Sequence, residues 1–264
     1  MLNYLTKTSI GYSHIKEHKY CQDFSAAYHD EERTIITACD GHGGDMYVRS
    51  HLGSKFASNA VINVLKELDK SDFYKFSKED ICNNIKLRIL CEWNSMVEED
   101  LNKKSLSRKE VIHLSDERLF KLLKNKEKAY GTTLNAAMVF GNKLICISIG
   151  DGGIFLLKRG QIIPAVEDDE EAVANFTYSM SQDDAYSHLK VKIYDFSSLN
   201  GVIVCTDGLI NPYQSIGNFQ ESFVKPICKK IKEGKLIEVD DYIKIMGEEI
   251  GIGDDVSFGI ILKV

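Results

Sequence analysis

The chain carries seven cysteines, an odd number, and no two stand as C-x-x-C. That argues against a disulfide framework and against a soft-metal site of the usual spacing. Cys39, Cys146 and Cys205 fall inside apolar runs, where a thiol behaves as a small hydrophobe, so a reducing cytoplasm is the expected location. No apolar stretch approaches the roughly 20 residues needed to span a bilayer, so no membrane segment is expected. The opening Met1-Leu2-Asn3-Tyr4-Leu5-Thr6-Lys7 lacks the apolar core of a signal peptide, and export is not expected either. The net charge is −6 and no basic stripe stands out, which argues against nucleic acid as a partner. No linker rich in Pro, Gly and Ser divides the chain, and one domain over residues 1–264 is expected. With 44% hydrophobic and 27% charged residues, the composition is that of a soluble protein with a sizeable core.

Against these absences stands one pattern written three times, an apolar β-forming run that ends in Asp-Gly. Thr34-Ile35-Ile36-Thr37-Ala38-Cys39 leads into Asp40-Gly41-His42-Gly43-Gly44. Leu144 to Gly150 leads into Asp151-Gly152-Gly153, and Gly201 to Thr206 into Asp207-Gly208. A strand that is apolar throughout is buried on both faces, and its end is where the chain surfaces. A single Asp-Gly there is an ordinary turn signal. Three on distant strands would gather carboxylates that repel one another unless a hard cation lies between them. Asp254-Asp255, just before a closing strand, and Asp23 are further candidates. All-oxygen ligands point to Mg²⁺ or Mn²⁺.

Elsewhere, Leu52, Phe56, Ala60, Val64 and Leu68 repeat at i+4, as do Ile81, Ile85, Ile89, Trp93 and Val97. The spacing predicts two consecutive helices packed antiparallel over a sheet. Residues 98–128 are charge-rich and read as a connecting or inserted element. Thr133 to Phe140, a Gly141-Asn142 turn, Lys143 to Ile149 and Ile154 to Lys158 read as strands. Leu189, Val191 and Ile193 alternate with lysines, as in a half-buried strand. Phe219, Phe223, Ile227 and Ile231 mark a helix that Pro226 should kink, and a last helix is expected around Asp240 to Glu249. Segregated runs of strands and helices joined by hairpins predict an α+β fold with largely antiparallel sheets. Between Gln161 and Ser187 loops are expected, including the acidic run Glu167-Asp168-Asp169-Glu170-Glu171. That run reads as a solvated loop, and the whole stretch is long enough for a lid.

Taken in order, these motifs resemble one family, the metal-dependent protein phosphatases of the PPM type, also called type 2C. Cys21-Gln22-Asp23 is similar to its first acidic motif and Asp40-Gly41-His42-Gly43-Gly44 to its most diagnostic one. Gly131-Thr132-Thr133, Gly150-Asp151-Gly152, Thr206-Asp207-Gly208-Leu209 and Gly253-Asp254-Asp255-Val256-Ser257 are similar to the others. Ser13-His14, Cys21-Gln22-Asp23 and Asn175-Phe176-Thr177 most resemble a bacterial branch. The resemblance implies a four-layer α-β-β-α sandwich, two antiparallel sheets face to face with helices outside each. It implies two divalent ions, with Asp40 bridging both, the Gly41 carbonyl on one, and Asp207 and Asp254 completing the other. Asp23 would hold metal-bound waters and Asp151 a weaker third ion. Hydroxide between the ions would attack phosphoserine or phosphothreonine in a protein phosphorylated by a serine/threonine kinase, with His42 as general acid.

The chain also departs from the family's pattern. His18 stands where many members carry a phosphate-gripping arginine, leaving His18, Lys16 and Lys19 as candidates for that contact. Asn211 replaces a common aspartate, and Asp255 a common asparagine. Two other functions compete with a protein phosphatase: a non-catalytic relative that binds phosphoproteins, and a hydrolase of small phosphate esters. The first would be expected to lack a metal aspartate, yet Asp40, Asp207 and Asp254 are all present. The second would need a small rigid pocket, where a protein substrate needs an open cleft.

Overall fold

The computed structural model of the chain describes residues 2–166 and 177–263. Among the described residues, ten strands form two antiparallel five-stranded sheets. The first takes the order β1 (Leu2–Ser9), β10 (Val256–Lys263), β9 (Gly201–Cys205), β6 (Gly153–Lys158) and β7 (Gln161–Pro164). The second takes β2 (Phe24–His29), β3 (Arg33–Cys39), β4 (Leu134–Phe140), β5 (Lys143–Ile149) and β8 (Lys190–Asp195).

The two-residue period of each strand sorts its side chains into separate cores. From β3, Ile36 and Ala38 face the other sheet and pack with Val202, Val204 and Ile261. Ile35 and Cys39, from the same strand, face outward under helices. The helix Ser50–Lys66 and the helix Lys78–Lys103 cover that outer face. In the second helix the buried residues are Ile81, Ile85, Ile89, Trp93 and Val97, the predicted stripe. Trp93 buries its ring and donates its indole N–H to the Gly53 carbonyl, which ties the two helices together. The opposite sheet carries the helices Lys225–Lys232 and Leu236–Ile245 over Phe258, Ile260 and Leu262. The result is the four-layer α-β-β-α sandwich. No helix among the described residues is long and apolar enough to cross a membrane.

Several elements differ in detail from the sequence reading. The loop expected from Gln161 opens with a short edge strand, β7, whose Ile163 is exposed and so gives no alternating signal. Ahead of Pro226 the chain widens into a π-helical turn over Gln220–Val224 rather than simply kinking. A proline ring collides with the carbonyl four residues before it, and a wider turn moves that carbonyl aside. The last helix, expected around Asp240 to Glu249, spans Leu236–Ile245 and runs into a π-helical turn over Met246–Ile250. The acidic run 167–171, with Asn175 and Phe176, lies outside the described residues.

The charge-rich stretch after residue 98 is pinned by one buried cation. Arg49, 2% exposed, precedes the helix Ser50–Lys66. Its Nη1 donates to Asp100 at 2.9 Å and to the Tyr130 hydroxyl at 2.7 Å, and its Nε donates to Glu110 at 2.7 Å. The carbonyls of Lys104 and Ser105 take further guanidinium protons. The bond from Arg49 pulls the Glu110 carboxyl down to about 2. Arg49→Met keeps the apolar stem but strands both carboxylates, which should cost about 3 kcal/mol. A chain of this size should then melt roughly 6–12 °C lower by calorimetry.

Candidate active site

The three Asp-Gly ends lie at one end of the sandwich because of strand register. Cys39 pairs with Phe24, Ile149 with Leu134, and Cys205 with both Phe258 and Gly153. Asp40 follows β3, Asp151 follows β5, and Asp207 opens a short helix after β9. Each offers a carboxylate oxygen, and the three oxygens lie within 4.8 Å of one another. No Lys or Arg is ion-paired with any of them among the described residues.

Neighbouring motifs hold this cluster in place. The Gly131-Thr132-Thr133 segment fixes the Asp40 backbone. Thr133 N–H and Thr132 Oγ1 both donate to the Asp40 carbonyl at 2.8 Å, and Asp40 N–H donates to Thr133 Oγ1 at 3.0 Å. Gly41 must be glycine, since a Cβ there would sit 2.7 Å from the carbonyl oxygens of Gln22 and Ser50. Its own carbonyl accepts no hydrogen bond among the described residues, which leaves it free to meet a cation. Gly150 turns the chain at φ +102°, toward Asp151.

The remaining candidates stand around this centre. Asp254 lies outside the three-oxygen group but near enough for its charge to act on Asp40 and Asp207; its Oδ1 accepts from Asp255 N–H at 2.9 Å. Asp23 is buried behind Asp40 and accepts from Thr206 Oγ1 at 2.8 Å. The His42 ring packs edge-on to Tyr47 at 4.9 Å, and its backbone N–H donates to the Gly131 carbonyl at 3.0 Å. Asn211 donates from Nδ2 to the Asp207 carboxylate at 2.9 Å, so the departure at this position replaces a charge with a positioning donor. Lys16 is exposed at the end of the helix Tyr12–Lys16 and His18 on the turn after it, and Lys19 is paired with Glu17 at 2.7 Å.

The roles of three residues were not read from the sequence. Asp255, named there only as a carboxylate beside Asp254, is buried. Its carboxylate accepts the N–H groups of Gly11 and Gln22 at 2.7 and 2.6 Å and contacts His14 Nδ1 at 2.9 Å. It thereby stitches the segment leading to Asp23 onto the start of β10. Thr177 donates to Asp151 Oδ2 at 2.5 Å, bringing the chain back to the centre. Tyr47 leaves no signal in the sequence, because its role depends only on where His42 falls.

Burial and mutual repulsion shift these carboxyls together. Asp40 and Asp23 are held well above the usual carboxylate range, chiefly by burial and then by neighbouring aspartates. Asp207 is pushed up to about 6 by burial, Asp151 and Asp254. For His42, burial lowers the imidazole below its ordinary value and outweighs the opposing pull of Asp151. A carboxyl with a raised folded-state pKa binds its proton more tightly folded than unfolded. Its stabilisation is therefore full below the ordinary carboxylate pKa and is lost as pH rises through about 6. The Tm of EDTA-treated protein minus that of Asp207→Asn should fall between pH 5 and 7.5. The subtraction removes the opposite contribution of the histidines. Saturating Mn²⁺ should raise the wild-type Tm more at pH 7.5 than at pH 5, because ion and proton compete for the same oxygens. A pH-independent difference would show that Asp207 is not under this strain.

A family model described as protein phosphatase 2C matches residues 10–236. No curated protein matches the chain significantly. Among solved structures, a bacterial serine phosphatase is similar with TM-score 0.62 at 16% identity, covering 100% of each chain. The catalytic domain of the serine/threonine protein phosphatase PstP, in complex with two manganese ions, gives 0.58 at 18%, covering 99% of this chain and 97% of that one. The serine/threonine phosphatase Stp1 from Staphylococcus aureus gives 0.58 at 16%, covering 100% and 96%. Identities this low bear on the fold alone. The family model spans most of the sequence, including Asp23, Asp40, Asp151 and Asp207, and the chain belongs to the protein phosphatase 2C family.

Proposed function

We propose that this chain removes phosphate from phosphoserine and phosphothreonine in proteins by direct attack of water, without a phosphoenzyme. The observation that carries this reading is the convergence of Asp40, Asp151 and Asp207 within 4.8 Å, with no Lys or Arg paired to them among the described residues. Such a donor set fits Mg²⁺ or Mn²⁺, and the related PstP domain binds two manganese ions. Two ions there would neutralise a phosphate dianion and bring the pKa of a water between them into hydroxide range.

Asp40 and Asp207, with the Gly41 carbonyl and Asp254, form the ligand set we assign to the pair; Asp23 orders water behind it and Asp151 serves a weaker third ion. The water gives one proton to solvent, from which His42 is later reprotonated, and its oxygen bonds to phosphorus as the bond to the serine or threonine oxygen breaks. The leaving alkoxide takes a proton from the protonated His42 ring; burial lowers its pKa, so the ring gives up a proton more readily but carries one less of the time near neutral pH. A cavity of about 680 Å³ adjoins Asp151 and is lined by Ile154, Phe155, Ile210 and Ile216. That is far larger than a phosphate and suits residues flanking a phosphorylated side chain, which favours a protein over a small ester. The substrate would be the product of a serine/threonine kinase.

Phosphate contact is assigned to His18 with Lys16 and Lys19, whose exposed pair with Glu17 holds its charge only weakly. His18→Arg should then lower KM severalfold with little change in kcat, because a bidentate guanidinium grips ground and transition states alike. An unchanged KM would place position 18 away from the phosphate. The proposal as a whole is tested by phosphate release from a phosphothreonine peptide with Mn²⁺, with EDTA, and in Asp254→Asn. Release should depend on the ion and drop steeply in the variant. Release that persists in excess EDTA would overturn it.

A further inference from the structure

A second cavity lies at the opposite end of β6 from Asp151. β6 leaves the aspartate cluster at Gly153 and reaches Lys158, then turns at Arg159 and Gly160 into β7. At about 3.3 Å per residue, the turn is some 15–20 Å from the cluster. Between this hairpin and the helix Lys225–Lys232 runs a groove of about 660 Å³. Its floor is apolar, formed by Leu157, Ile162, Val224 and Leu262, with half-buried Cys228 beside them.

Its rim carries positive charge in a chain whose net charge is −6. Lys225, Lys229 and Lys232 follow one another at i, i+4 and i+7, so they share the helix face turned to the groove. Ile227 and Ile231 occupy the other face, in the core. Arg159 faces them across the opening. Lys225 has an exposed partner in Glu221, and Lys229 lies 3.9 Å from Glu233, the one acid of the lining. Pairs this exposed hold their charges weakly.

Arg159 supplies an independent sign. It holds φ +51° as the first central residue of a two-residue hairpin, with Gly160 at φ +79°. Asparagine or glycine is favoured there, and a long cation is placed against the backbone's preference. Strain kept at such a position marks a side chain with a task.

We propose that this groove binds an organic anion with an apolar body, its chain on Leu157, Ile162, Val224 and Leu262 and its acid group between Arg159 and the lysine face. The volume suits one chain of moderate length, and a concave site of this size suits a single molecule.

The test is calorimetric titration of the Mn²⁺-loaded protein with decanoate below its micellar concentration, beside decyltrimethylammonium and decanol. Decanoate should bind at one saturable site and the ammonium compound about tenfold more weakly or worse. Arg159→Gly relieves the backbone, so its Tm should hold or rise, while decanoate affinity falls about fivefold or more. Lys232→Ala should weaken binding similarly, and neither variant should alter hydrolysis of p-nitrophenyl phosphate. Inorganic phosphate should not displace decanoate. Absence of saturable binding, equal affinity for anion and cation, unchanged affinity in a well-folded Arg159→Gly, or displacement by phosphate would each overturn the proposal.

Discussion

Asp40→Asn should lower turnover of a phosphothreonine peptide by about 10³-fold or more and should at the same time raise the Tm of the metal-free protein. The first effect follows from its membership of the carboxylate cluster, where in the proposed mechanism one carboxylate would serve both ions. Removing several kcal/mol of transition-state charge stabilisation corresponds to a loss of this size. The second follows from its environment. Asp40 is held above the usual carboxylate range by burial and by the charges of Asp23, Asp207, Asp254 and Asp151. An amide of the same shape removes that repulsion while keeping the backbone bonds to Thr132 and Thr133. Kinetics and thermal melts in EDTA check the two halves separately. A variant that loses both activity and stability would show that Asp40 is a structural hub instead.

The other large effect concerns His42 and depends on the substrate. His42→Gln should reduce turnover of phosphoserine peptides by about 10² to 10⁴-fold but that of p-nitrophenyl phosphate by far less. A serine alkoxide needs a proton as it leaves, whereas nitrophenolate is stable without one. The ring is held in place, because the Gly131 carbonyl fixes its backbone and Tyr47 packs edge-on against it. Equal losses on the two substrates would remove His42 from proton transfer and leave it a packing or binding role.

Most of the architecture could be read from the chain because its physics is local. β3, β5 and β9 are buried on both faces and therefore appear as apolar runs. The helix over Ile81 to Val97 shows its buried stripe at i+4 without interruption. The site was legible for the same reason, since three of its carboxylates end such strands. What could not be read depends on distant partners. Arg49 finds Asp100 and Glu110 more than fifty residues away, and no local pattern marks a cation that will be buried. Asp255 is satisfied largely by backbone N–H groups, which have no sequence signature. Its burial leaves a charge that still pushes Asp23 and Asp254 upward. β7 was missed because an exposed edge of four residues carries too little alternation to register.

We assign Asp40 and Asp207, with Asp254, to one dinuclear centre built around Asp40. Crystals grown with Mn²⁺ and measured for anomalous scattering should show two peaks about 3.5–4 Å apart. Both should contact the Asp40 carboxylate, one should also contact Asp207, and Asp40→Asn crystals should lose at least one. Full occupancy of both peaks in the Asp40→Asn crystals, or manganese bound only away from Asp40, would contradict the account.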